Sequence, residues 1–124
     1  MSKVSFPHRT SMLFCASLLA VSSFAQAGEI KILMKDMKLA MQGAMASTTM
    51  PALSSYVGRL ERDVEQASHQ PYQDDQPTYD EGMQTLRREL VEVDQAIRAN
   101  DMATARNALR KIDATRKHYH GLLG

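Results

Sequence analysis

Apolar residues recur along the chain at helical spacing in four successive segments. The first stripe is Ile30, Met34, Met37, Met41 and Met45, at intervals of four, three, four and four. The second, Leu53, Val57, Leu60, Val64 and Ala67, alternates four and three without a break. The third runs through Met83, Leu86, Leu90, Val93 and Ile97, and the fourth through Met102, Ala105, Leu109, Ile112, Arg116 and His120. Intervals of three and four place residues on one face of an α-helix, with polar residues on the rest of the surface. The pattern predicts helices over 29–46, 51–68, 80–98 and 102–123, each roughly 28 Å long at 1.5 Å per residue.

The punctuation between stripes agrees. Ser47-Thr48-Thr49 offers N-cap oxygens, and Pro51 suits the first turn of a helix, where its missing N–H costs nothing. Ser68 to Tyr79, with Pro71, Pro77 and the Asp74-Asp75 pair, is the one sizeable loop. Asn100-Asp101 makes a short turn that caps the fourth helix. Short first and third connections pair neighbouring helices antiparallel, so the expected fold is all-α, an up-down-up-down four-helix bundle. No strand alternation, Gly-rich phosphate loop or Ser/His/Asp arrangement competes with it.

Residues 1–27 have a different character. Lys3, His8 and Arg9 form a basic start, Met12 to Val21 an apolar run, and Ala25-Gln26-Ala27 a small-residue cleavage site. This is the pattern of a secretory signal peptide, and the apolar run falls short of the roughly 20 residues a membrane span needs. Met12-Leu13-Phe14 before Cys15 lacks the small residue of a lipoprotein signal. The expectation is a domain over 28–124, exported and soluble, with no membrane insertion after cleavage. Cleavage at Ala27 would remove the only cysteine, Cys15, leaving no disulfide and no Cys-x-x-Cys-His for a thioether-linked haem.

Charge excludes more than it suggests. From Gly28 onward the chain has thirteen Lys or Arg against fourteen Asp or Glu, with no basic stripe along the sequence for nucleic acid or anionic lipid. It has no Trp, and Tyr56, Tyr72, Tyr79 and Tyr119 are the only aromatic residues after residue 27, thin material for stacking bases or sugars. Nothing on the expected surface marks a docking patch, and a monomer is expected.

The fourth stripe ends on a histidine. At 100° per residue His120 is in register with Met102 and about 20° from Leu109, which predicts a buried ring, whereas His118 falls on the solvent side. In an antiparallel bundle the first and fourth helices bring the beginning and end of the domain together. Met34, six residues after Gly28, lies about 9 Å along the axis, and His120, four before Gly124, about 6 Å. Met37 would sit about 4.5 Å deeper than Met34 and Met41 about 10.5 Å deeper. A histidine and a methionine at matched depth on facing helices suit the two axial positions of a haem iron. The plain alternative is a core of adaptable methionines and a hydrogen-bonded histidine. His69 is expected to be solvated. Asp74, Asp75, Asp80 and Glu81 lack the spacing of a calcium-binding EF-hand loop and suit solvated charge.

Thr115-Arg116-x-x-Tyr119-His120 resembles the C-terminal end of the cytochrome b562 family, whose type protein is itself a standard example of the up-down-up-down bundle. The resemblance extends over the mature chain: Met34, in Glu-Ile-Lys-Ile-Leu-Met, falls where the family has its first-helix methionine, and Leu53, Val57 and Leu60 follow in register. It implies one non-covalent haem b per chain, ligated axially by Met34 and His120, with Arg116 and Tyr119 lining the macrocycle. Arg116 would pair with a propionate or lie with its stem along the core edge. Met83 and Tyr79 depart from the family pattern, standing where phenylalanines face the haem.

Three functions follow from these residues. The first is a periplasmic b-type cytochrome, an electron carrier and not an enzyme, serving unidentified redox partners. The second is a copper-handling protein, since soft thioethers suit Cu(I) and Met34, Met37, Met41, Met45 and Met50 are dense. The third is a helical binding or sensor domain without a metal, which leaves His120 without a role.

Overall fold

The computed structural model describes residues 23–124, with side chains described from Gly28. Four helices follow in order: α1 (Ser23–Ala46), α2 (Met50–Ser68), α3 (Gln76–Arg98) and α4 (Met102–Leu123). Among the described residues there is no strand, and no helix is long and apolar enough to cross a membrane. Residues 1–22 of the segment expected to be a signal lie outside the described residues, and 23–27 belong to α1.

Two helices begin earlier than the apolar stripes suggest. No proline or cap residue interrupts Phe24-Ala25-Gln26-Ala27, and α1 runs through it. At α3 the prolines mislead: Asp75 is the N-cap, its Oδ1 accepting the Thr78 N–H at 3.2 Å, and Pro77 occupies the first turn. The residue expected to break a helix starts one. The other caps are as expected. Thr49 Oγ1 accepts from Ala52 N at 3.3 Å, and Asp101 accepts from Thr104 N at 3.0 Å. Asn100, at φ 52, supplies the left-handed residue of the tight α3–α4 turn, a conformation Asn tolerates better than most side chains.

The four stripes meet in one core. Leu53, Val57, Val64, Val93 and Leu109 are almost fully enclosed, and Ala40, Ala44, Ala67 and Ala105 let the helices approach closely. Gly43 marks the tightest approach: a Cβ there would stand 2.3 Å from the Tyr56 ring, so α1 and α2 pack with that ring over a bare backbone. The helices form a ring of neighbours with unequal seams. α1 packs extensively on α2 and α3 on α4, α2 packs less on α3, and α1 and α4 touch sparsely.

Two carboxyl pairs lie at these seams. Asp36 on α1 accepts two hydrogen bonds from Arg59, one of them from Nε at 2.8 Å, and that guanidinium holds its carboxyl well below the usual range. Asp63 on α2 is buried, and burial, reinforced by Asp36 beside it, pushes it up to about 7. Burial, with Asp94 as neighbour, pushes Glu61 up to about 7 as well. Both raised groups hold a proton in the folded chain that the unfolded chain releases near pH 4. Their contribution is complete below that pH and disappears as pH rises toward 7. Asp36 behaves oppositely, its contribution fading as pH falls below about 4. Thermal unfolding should therefore give the highest Tm near pH 5, about 5 °C above that at pH 8 after allowing for solvent screening. A Tm that rises steadily from pH 5 to pH 8 would contradict these assignments.

Candidate functional site

The sparse α1–α4 seam opens into a cleft of about 220 Å³. It lies at the end of the bundle that gathers the N-terminal half of α1, the α2–α3 loop and the last turns of α4. Leu60 and Val64 of α2 and Met83 and Leu86 of α3 form a buried floor. All four residues singled out from the sequence, Met34, Arg116, Tyr119 and His120, line this cleft. Helix periodicity alone brings a residue near each end of the domain to one place.

Burial corrects one expectation. His120 is exposed, not enclosed, although Leu109 on the same face is fully buried. The last turn of α4 runs along the mouth of the cleft, so the face that is core at Leu109 is open at His120. Met34 is half-buried near the mouth, and Met37 and Met41 line the same cleft from buried positions below. The order of depth follows the 1.5 Å rise from Met34 inward.

Tyrosines shape the walls. The Tyr119 ring lies against Gly82 of α3, where an added Cβ would be 2.9 Å from Tyr119 Cγ. Tyr72 and Tyr79 stack with ring centroids 5.2 Å apart and planes within 5°. Tyr79 is 1% exposed, donates its hydroxyl to Ala67 O, and burial pushes that hydroxyl up to about 12. Tyr72 donates to Leu123 O at 3.2 Å, tying the loop to the end of α4. Sequence reasoning missed Tyr72 as a cleft residue. Its only signal was an aromatic residue in a loop otherwise polar and proline-rich.

Arg116 points two ways. It lines the cleft while its Nε and Nη2 donate to Asp113 Oδ1 at 3.2 and 3.0 Å. Asp113 also accepts from Lys117, and Lys117 and Arg116 together hold its carboxyl below the usual range. Thr115 donates to Glu89 of α3, one of three buried polar residues among those described. His118 is exposed, edge-on to Tyr119 at 5.0 Å, and His69 is exposed beside Glu65 at 3.0 Å. Asp75 serves as a helix cap and Asp80 accepts from Gln76, while Asp74 and Glu81 are exposed.

The donor set fits a haem. A thioether and an imidazole flank one mouth, the floor is aliphatic, Tyr119 offers a ring face, and Arg116 stands at the rim for a carboxylate. A small ion alone would need fewer apolar walls.

No curated protein and no solved structure matches the chain. The family model of cytochrome b562 matches residues 29–123, which is α1 from Glu29 onward and the whole of α2, α3 and α4. With the fold that the helices form, this match shows that the chain belongs to the cytochrome b562 family of haem-binding electron carriers.

Proposed function

We propose that the protein is exported and works as a one-electron carrier of the periplasm, binding one haem b non-covalently with Met34 and His120 as axial ligands. The observation that carries this reading is the convergence of those two side chains on a single cleft from opposite ends of the domain. Haem supplies a reversible ferric–ferrous couple when bound. The chain supplies the surroundings. Met34 contributes a thioether, which favours the reduced iron over what two nitrogen ligands would give. His120 contributes an imidazole from an open mouth, where it can turn without disturbing the core. Leu60, Val64 and Leu86 keep water from the floor, and Arg116 can release Asp113 to meet a propionate. With Met34 and His120 both holding the haem, no side of it would be left open to a substrate, and the protein would act as a carrier rather than an enzyme.

The copper reading rests on Met34, Met37, Met41 and Met83 sharing the cleft. Three of those four are buried in the hydrophobic core, where packing already accounts for them. Titrating the purified apoprotein with haem separates the two. A Soret band that saturates at one equivalent supports the carrier. Failure to saturate, together with stoichiometric Cu(I) uptake, would overturn it. Edman sequencing of the protein from a periplasmic fraction should begin at Gly28 if the leader is cleaved as expected.

A further inference from the structure

The linear sequence shows no basic stripe, but the fold sorts its charge. From Gly28 on, α1 and α4 together carry eight Lys or Arg against three Asp or Glu. The intervening chain, 47–101, carries five against eleven. One half of a nearly neutral bundle is therefore positive and the other negative.

The positive charge is further gathered at the α1–α4 seam. A second cavity there is lined by Lys38 and Gln42 of α1 and by Arg110, Asp113, Arg116 and Lys117 of α4. Its one carboxylate, Asp113, is already bonded to Arg116 and Lys117. Lys31, two turns before Lys38, projects within about 20° of it. Asp36 is turned the other way, toward Arg59 on α2, and Glu29, seven residues before Asp36, shares that α2-facing side. All three lysines of α1 are exposed. Met41 and Arg116 line both cavities, so the basic surface runs directly into the candidate haem cleft.

We propose that the α1–α4 face is the docking surface for a redox partner protein with an acidic contact patch, an inference that rests on the carrier reading of the adjoining cleft. Electron transfer needs the partner close to the cofactor, and the mouth of the cleft lies on this face. Complementary charge speeds encounter and orients it without requiring a large interface. The negative α2–α3 half repels the same partner from the far side, which steers it to the mouth. The dipole of charge matters here more than the net charge.

Poly-L-glutamate serves as the probe in an NMR titration of the ¹⁵N-labelled apoprotein. Shifts should concentrate on α1 and α4 and disappear at about 0.5 M salt, where charges are screened beyond a few ångströms. The double variant Lys38→Glu/Lys117→Glu should weaken binding about tenfold. Arg88→Glu, on the opposite half, should leave it unchanged. In the haem-loaded protein the same double variant should slow oxidation by hexacyanoferrate(III) at low salt. Shifts spread over α2 and α3, or binding indifferent to the double variant, would overturn the docking surface. Equal or stronger shifts with phosphatidylglycerol vesicles would make the face a membrane contact and overturn it too. A chain that takes up no haem yet binds poly-L-glutamate on α1 and α4 would overturn the carrier reading while supporting the acidic-protein surface.

Discussion

Replacing His120 by Ala should lower haem affinity by roughly a hundredfold or more, about 3 kcal/mol, while leaving the stability of the apoprotein within about 0.5 kcal/mol. The asymmetry follows from exposure: the ring stands at the cleft mouth and packs into no core layer. A soluble haem titration followed by thermal melts of the apoprotein reads both quantities. A large loss of apoprotein stability would mean that the histidine is structural. Met34→Ala should keep haem bound through His120 but lower its midpoint potential, since the thioether that favours ferrous iron is lost. Met37→Ala is the control. Its side chain is 4% exposed, so its truncation should destabilise the bundle by about 2–3 kcal/mol and shift the potential less than Met34→Ala. The reverse order of potential shifts would assign the ligand to Met37.

The second large effect is expected at a residue with no side chain. Gly82→Val places a Cβ 2.9 Å from Tyr119 Cγ and 3.0 Å from Cδ1, and the ring base cannot swing aside as a flexible tip would. Overpacking of this kind costs about 1–3 kcal/mol, only partly offset by the gain of about 0.5 kcal/mol in helix propensity over glycine. The net loss should lower Tm by about 5–10 °C. The displaced ring has the cleft on its other side, so haem affinity should fall with stability. Adding Tyr119→Ala should recover part of the lost stability, giving a favourable coupling in a double-mutant cycle. Strictly additive losses would show that Tyr119 does not press on Gly82.

The helices were legible because each stripe is amphipathic for its full length and each junction has a cap residue whose side chain does what its chemistry suggests, as Thr49 and Asp101 do. Boundaries went astray where one residue type has two opposite uses. Pro77 ends a helix if it falls inside one and begins a helix if it falls in the first turn, and the Asp75 cap decides between them. That Met34 and His120 would meet at one cleft was legible for the same reason as the helices: depth along a bundle is linear in residue number. Arg116 and Tyr119 came instead from the resemblance of the chain's C-terminal end to the family. The exposure of His120 was not, because periodicity gives the face of a helix but not where the opposite wall ends. Pairings across seams were hidden as well. Asp63 beside Asp36, Glu61 beside Asp94 and Tyr72 bonded to Leu123 depend on the register with which separate segments meet, which no single stripe records. The segregation of charge was in plain sight as letters, yet it acquires meaning only when the first helix is set beside the last.

The unequal seams also have a meaning in time. Joining α1 to α2, or α3 to α4, closes a loop of a few residues, and those contacts form at little entropic expense. Joining α1 to α4 closes nearly the entire domain and yields the fewest contacts in return. The bundle is thus two closely packed hairpins sharing one core, joined along α2 and α3 like the covers of a book whose fore-edge is α1 and α4. A book opens at its fore-edge, and a flat ligand placed there becomes the page that keeps the covers aligned.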